Sequence, residues 1–284
     1  MEETQNPKLP DILYHYTSMA SLFSLLNDPN LFPDNKKEEY LTEQKPVDID
    51  AYQLNFWASH VDYLNDPSEG KYQMECLKQA LRNYEQKNNT EDKSHLIEII
   101  YNYVNSSAGV PFVVSLSENK EDLSMWRAYG DNGKGIILAF DRQKLETHFP
   151  LWKIKYLNMQ DVVNLYKDED LRTLHDNIEH DIPAILHILY RHKHDIKHPA
   201  YSHEQEWRLS VLEPHILCDG HRERNGLIIP YSIISIPLNA LKEIIIGPCA
   251  QQQLCARSLA GMIRKKTSIE SVPITLSDVP YRIM

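Results

Sequence analysis

The sequence predicts an α+β fold: a single domain with a mixed, largely antiparallel sheet and flanking helices. Three observations lead there. Strand-like and helix-like segments alternate irregularly, without the regular βαβ beat of a parallel sheet. Only 9 glycines occur among 284 residues, and neither GxGxxG nor GxxxxGK[ST] is present, which removes the ordinary Rossmann and P-loop designs. With 42% hydrophobic residues, no internal repeat and no long linker, the chain can bury one sizeable core. The expectation is therefore one domain over residues 1–284, with a polar insertion at 33–50.

The elements follow in order. Residues 12–16 are β-branched and aromatic and read as a strand, and Thr17-Ser18 can cap the helix that Leu22, Phe23, Leu25 and Leu26 mark by their shared face. The charged run 33–50 reads as solvated, after which residues 54–59 resume a strand. This strand enters a turn-rich loop at 62–70. Helices are expected over 71–87 and 91–105, a half-buried strand over 111–117 and a short helix over 121–129. Residues 136–140 form the clearest strand. Further strands are expected over 152–157, 204–212, 227–236 (with an internal turn), 242–246 and 272–276, and a loop over 218–226. Ile178, Ile182, Ile185 and Leu189 give residues 176–194 helical spacing, and residues 251–266 read as a helix.

Forty acidic against 30 basic residues leave a net charge of -10, which argues against a protein that coats nucleic acid along its length. The strip Arg191, Lys193, Lys197 and His198, with Lys265 and Lys266, keeps a local phosphate contact open and otherwise reads as a solvated face. Four scattered cysteines form no CxxC or finger spacing, so neither a disulfide framework nor structural zinc is expected. His187, His192, His194, His198 and His203 form no HExxH pattern, so no metal site is expected among them. The start MEETQNPKLPD has no basic region followed by an apolar stretch, and no run approaches the ~20 apolar residues of a membrane span. A soluble, cytoplasmic protein without a membrane partner is the expectation.

Four polar clusters interrupt the strand-like segments, and polar residues at strand ends are held rigidly where loops admit ligand. They are Tyr14-His15-Tyr16-Thr17, Asn65 to Gly70, Met125 to Tyr129 with Lys134, and His203 to Arg208. On a strand Glu204, Glu206 and Arg208 share one face. That face is either a solvated surface with cross-strand ion pairs or a polar cleft that tunes a carboxylate. His15 can donate to a ribose hydroxyl, move a proton, or be a structural histidine. Asn65-Asp66-Pro67 is first of all an Asx-type turn. Trp57, Trp126 and Tyr129 offer either stacking faces or core.

Taken in order, LYHYT (13–17), NDPxEG (65–70), SxS (115–117), MWxxY (125–129), GKGI (133–136) and ExEWRL (204–209) resemble a bacterial family known as domain-of-unknown-function family 2971. The strand Tyr14-His15-Tyr16-Thr17 is also similar to the first motif of His-Tyr-Glu ADP-ribosyltransferases. Gly133 to Ile136 looks like the GKGI strand of poly(ADP-ribose) polymerases, and Glu204-Gln205-Glu206 like the ExE turn of arginine-modifying transferases. No SKSxxY segment follows Phe140, so Tyr129 is the nearest middle tyrosine by motif order.

This second resemblance implies a split-sheet fold, NAD as substrate, and a macromolecular acceptor, protein or nucleic acid, with a place in bacterial defence. Glu206 then stabilises the oxocarbenium-like species formed when nicotinamide leaves, and Glu204 selects the acceptor. His15, with Tyr16 and Thr17, holds a ribose. Tyr129 lies beside the nucleotide, and Arg127 or Arg208 meets the pyrophosphate. Two other classes compete. One is a non-catalytic nucleotide- or peptide-sensing module in which the carboxylates only pair with Arg127 and Arg208. The other is a hydrolase or nuclease using Asp66, Glu69, Glu204 and Glu206 around a hard cation.

Overall fold

The computed structural model describes residues 9–26, 53–64, 66, 71–107, 112–181, 195–211, 218–224, 226–267 and 272–281. The expected insertion at 33–50, Asn65, the run 67–70, and His187, His192 and His194 lie outside these residues, as do the side chains of Lys265 and Lys266.

In chain order the elements are β1 (Ile12–Thr17), α1 (Met19–Leu26), β2 (Gln53–His60), α2 (Lys71–Asn88), α3 (Leu96–Ser107), β3 (Phe112–Ser117), α4 (Leu123–Ala128), β4 (Ile136–Asp141) and α5 (Arg142–His148). There follow β5 (Leu151–Lys153), β6 (Lys155–Tyr156), α6 (Met159–Leu165), α7 (Asp168–Asn177), β7 (Ile196–Lys197), β8 (Glu206–Val211), β9 (Gly220–Arg224), β10 (Leu227–Pro237), β11 (Leu241–Ile246), α8 (Gln252–Thr267) and β12 (Ile274–Leu276). Strand pairs β1–β3, β1–β4, β4–β11, β2–β3 and β9–β10 are antiparallel, while β11–β12 and β6–β7 are parallel. The expected mixed, largely antiparallel sheet with helices is borne out.

Contacts gather the chain into two compact units, one of residues 1–57, 115–151 and 233–284, the other of residues 58–114 and 152–232. In the first, β4 is the innermost strand, with β1 on one side and β11 on the other. Residues Ile136 to Phe140 are all buried, which a continuous apolar run allows only where both faces are covered. The parallel partner β12 needs a crossover, and α8 supplies it, packing on β11 and β12. Asp141 caps α5 by accepting from the Lys144 N–H at 3.2 Å.

The second unit holds a helical core. Cys76, Leu77, Ala80 and Leu81 of α2 pack with Ile97 and Ile100 of α3, Val162 of α6, and Leu171 and Leu174 of α7. The i, i+1, i+4, i+5 spacing on α2 makes the apolar stripe that this packing needs. The Tyr72 hydroxyl donates to the Leu157 carbonyl at 2.9 Å, tying α2 to the segment after β6. Hairpin β9–β10 pairs Leu227 with Arg224 and Tyr231 with Gly220.

Several expectations are corrected. Residues 218–226 are not a loop, because β9 forms there, and β10 runs unbroken through Pro230, which pairs with His221. A proline fits where its missing N–H is not required by the ladder. The strand expected over 152–157 breaks at Ile154 into β5 and β6. Residues 111–117 are not half-buried, since five of the six residues of β3 are buried. Helices α5, α6 and α7 lie where none was expected, and the helix expected from 176 meets the end of α7 instead; residues 182–194 lie outside the described set. Finally, the strand expected from residue 204 begins at Glu206. Glu204 closes a 3-10 turn, Pro199–Glu204, and Gln205 adopts a left-handed conformation (φ 43°) between them.

Candidate functional site

His15, Tyr16, Thr17, Arg127 and Tyr129 lie in the first unit, and Glu204, Glu206 and Arg208 in the second. On β1 the strand pairing with β4 sets His15 opposite Leu138. The His15 Nδ1 lies 2.8 Å from the Ser115 carbonyl, and the ring meets Phe56 edge-on with centroids 5.2 Å apart. A carbonyl accepts only, so Nδ1 carries the proton and the ring orientation is set. The SxS motif thus supplies a backbone acceptor at Ser115. At Ser117, the buried hydroxyl accepts from the Asn119 N–H at 3.0 Å.

Tyr16, on β1, ties that strand to the loop before α4. Its hydroxyl donates to the Asn119 carbonyl at 3.0 Å and accepts from the Asp122 N–H at 3.1 Å. Burial raises that hydroxyl well above the usual phenol range. Asp122 in turn caps α4, accepting from the Met125 N–H at 3.0 Å.

Trp126 is fully buried and packs edge-on against Tyr16 with centroids 5.2 Å apart, so of its two sequence readings the structure selects core over stacking face. Around it the chain makes a tight knot. Asp131, Asn132 and Gly133 are three successive residues at positive φ, and the Gly133 N–H donates to the Trp126 carbonyl at 3.1 Å. A Cβ on Gly135 would stand 2.1 Å from the Thr17 carbonyl oxygen, and one on Gly247 would stand 2.5 Å from that of Gly133. The MWxxY and GKGI motifs are therefore packing devices that let three backbone segments approach. Arg127 projects from α4 into solvent, while Tyr129 packs beside Tyr16 and Trp126.

The second unit contains the strongest electrostatic feature. Lys197, Glu204, Glu206 and Arg208 are each at most 6% exposed. Lys197 Nζ donates to Glu204 Oε2 at 2.6 Å and to Glu206 Oε2 at 3.2 Å. Arg208 Nε donates to Glu206 Oε1 at 2.8 Å and Nη2 to Glu206 Oε2 at 2.9 Å. Two cations and two carboxylates alternate in a neutral chain, the condition under which buried charge is tolerated. The backbone explains the convergence. Glu206 and Arg208 share a face of β8, and the left-handed Gln205 turns Glu204 back toward the same lysine. Of the readings drawn from spacing, the exposed surface strand is excluded by this burial.

Four further residues complete this corner: Lys197, Tyr201, Tyr156 and Asp66. Lys197 is buried on β7, contrary to its reading as part of a solvated basic strip. Its ammonium also lies over the Tyr201 ring, 4.8 Å from the centroid. The Tyr156 hydroxyl accepts from the Glu206 N–H at 2.8 Å, and burial raises it above the usual phenol range. Asp66 is buried, and burial together with the Asp66 carboxylate raises the Tyr201 hydroxyl. Of these, Asp66 and Lys197 carried a sequence signal, and Tyr156 and Tyr201 carried none. Among the described residues no group of three or more histidine, cysteine or carboxylate side chains is placed to hold a metal. No helix among them is long and apolar enough to cross a membrane.

Against known families, residues 125–209 match the model described as protein of unknown function (DUF2971). The matched stretch contains the MWxxY, GKGI and ExEWRL motifs, and it bears out the first resemblance drawn above. The chain matches no curated protein and no solved structure.

Proposed function

We propose that the protein is an NAD-consuming enzyme of the ADP-ribosyltransferase type, with its catalytic carboxylate at Glu206. The observation that carries this reading is the buried charged corner, where Glu204 and Glu206 converge on one lysine across a left-handed residue. Breaking the nicotinamide–ribose bond leaves positive charge on the ribose, and an ionised carboxylate in a dry site stabilises it. Lys197 and Arg208 position Glu206 by direct ion pairs. A dinucleotide's pyrophosphate offers both cations a replacement anion, so Glu206 can turn to the ribose while no buried cation is left without a partner. Glu204 keeps Lys197 in place and is suited to orienting an acceptor. The acceptor class remains a macromolecule, protein or nucleic acid, with hydrolysis of NAD as the acceptor-free outcome.

The test is incubation with labelled NAD and total cell protein or nucleic acid, following transferred label and released nicotinamide. Turnover that falls by at least ~100-fold in Glu206→Gln, with folding retained, supports the assignment. Absence of transfer, nicotinamide release and calorimetric NAD binding overturns it.

One observation favours a second reading: both oxygens of Glu206 are already engaged by cations. A non-catalytic module would keep those pairs and sense a nucleotide elsewhere on its surface. Binding that survives Glu206→Gln without turnover of any nucleotide selects it.

A further inference from the structure

The second unit also carries a thiol–imidazole pair, Cys218 and His221, beyond β8. Cys218 Sγ lies 3.7 Å from His221 Nε2, within hydrogen-bonding range for sulfur. The pair is held by the β9–β10 hairpin. The Asp219 N–H donates to the Tyr231 carbonyl at 2.9 Å, and the Ser232 hydroxyl donates to Asp219 Oδ2 at 2.9 Å. Gly220 lies so close beneath Tyr231 that a Cβ there would stand 2.6 Å from the Tyr231 hydroxyl. The residue between thiol and strand is thus fixed on both its backbone and its side chain, which sets the reach from Cys218 to His221.

Access is also built in. Strand β9 lies at an edge of its sheet. Along it Arg222 turns inward to donate to the Ser59 hydroxyl at 2.5 Å, so by strand alternation His221 and Glu223 face the other way. Both are exposed, as is Ile228, the cross-strand partner of Glu223. Cys218 itself is partly exposed.

The remaining cysteines lack these features. Cys76 is buried in the helical core, where burial pushes its thiol up to about 11. Cys255 is raised by burial and by its neighbour Cys249, a thiol that offers no base.

We propose that Cys218 is a modification site, activated by His221, that exchanges with small-molecule disulfides of the glutathione type. His221 Nε2 takes the thiol proton, and the resulting thiolate attacks one sulfur of the disulfide. The protein–sulfur bond forms as the S–S bond breaks, and the leaving thiolate takes the proton back from the imidazolium. One protein thiol and one disulfide give one mixed disulfide and one free thiol, so electrons and protons balance.

The test is timed incubation of the folded full chain with glutathione disulfide, followed by peptide mass mapping. Cys218 is expected to take up glutathione before the other three cysteines. His221→Gln should slow its uptake about tenfold near neutral pH. Cys218→Ser should remove the fast phase. Equal labelling of Cys218 and Cys249, or a rate insensitive to His221→Gln, would each overturn the assignment.

Discussion

Glu206 and Arg208, two residues apart on β8, form a two-pronged ion pair inside the second unit, with both nitrogen–oxygen distances under 3.0 Å. Side chains at i and i+2 of a strand normally run parallel without meeting. Here they do meet, and Lys197 engages the same carboxylate at 3.2 Å. Removing Glu206 alone leaves two cations against one carboxylate, whereas removing Glu206 and Arg208 together leaves the neutral Lys197–Glu204 pair.

Charge balance therefore predicts a strongly coupled double-mutant cycle. Glu206→Leu and Arg208→Met should each cost about 3–5 kcal/mol in urea unfolding, and the double variant should cost less than the sum. Additive losses would show that the four charges do not act as a unit.

The glycines separate close approach from backbone conformation. Gly135→Ala places a Cβ 2.1 Å from a carbonyl oxygen and should cost more than about 3 kcal/mol. Gly226 has φ +79° with nothing within 4 Å, so its alanine variant should lose only about 1 kcal/mol. Gly261, exposed on α8 and also without a neighbour, should gain up to about 1 kcal/mol on the same change. Thermal unfolding of the three variants checks the order.

Tyr16→Phe keeps the ring against Trp126 and deletes the hydroxyl that serves both Asn119 and Asp122. A loss of about 1–3 kcal/mol is expected from the two backbone groups left without that partner. Faster hydrogen exchange at the Asp122 amide would localise the effect to the entry of α4.

Glu85 gives a pH signature. It is buried at the end of α2, with Oε1 accepting from the Lys93 N–H at 2.9 Å and Oε2 without a hydrogen-bond partner among the described residues. Burial raises its carboxyl above the ordinary value of 4.5. Below that value both folded and unfolded chains hold the proton. As pH rises through the interval between the two values, the unfolded chain loses its proton first, and stability falls. Glu85→Gln should remove this decline, so unfolding free energies of the two proteins should diverge in favour of the variant as pH climbs toward neutrality. A constant difference across that range would refute the assignment.

The strands of the first unit were legible because their patterns are local. The continuous apolar run at Ile136 and the β-branched run ending at Ile246 both became buried strands. Helix α1 followed from a cap and an apolar face. By contrast, β9 has the sequence GHRER, without an apolar alternation, and owes its existence to pairing with β10. The candidate site divided along the same line. The residue types at Glu204, Glu206 and Arg208 suggested paired charge, but Gln205 at positive φ has no glycine to announce it. Lys197 comes from a two-residue strand whose burial depends wholly on tertiary partners. Trp126 shows the converse, a motif residue whose recurrence in a pattern suggested ligand contact and whose surroundings are steric.

The two units are interleaved along the chain, and all four of their boundaries fall inside strands, at 57/58, 114/115, 151/152 and 232/233. The family-matched stretch crosses one of these junctions. Expressed as a fragment, it would carry β4 without its neighbours β1 and β11, exposing two ladders of unpaired amides. Neither unit can be cloned as one uninterrupted piece, so deletion mapping would report aggregation rather than function. Point substitution in the intact polypeptide is the usable genetics for this protein.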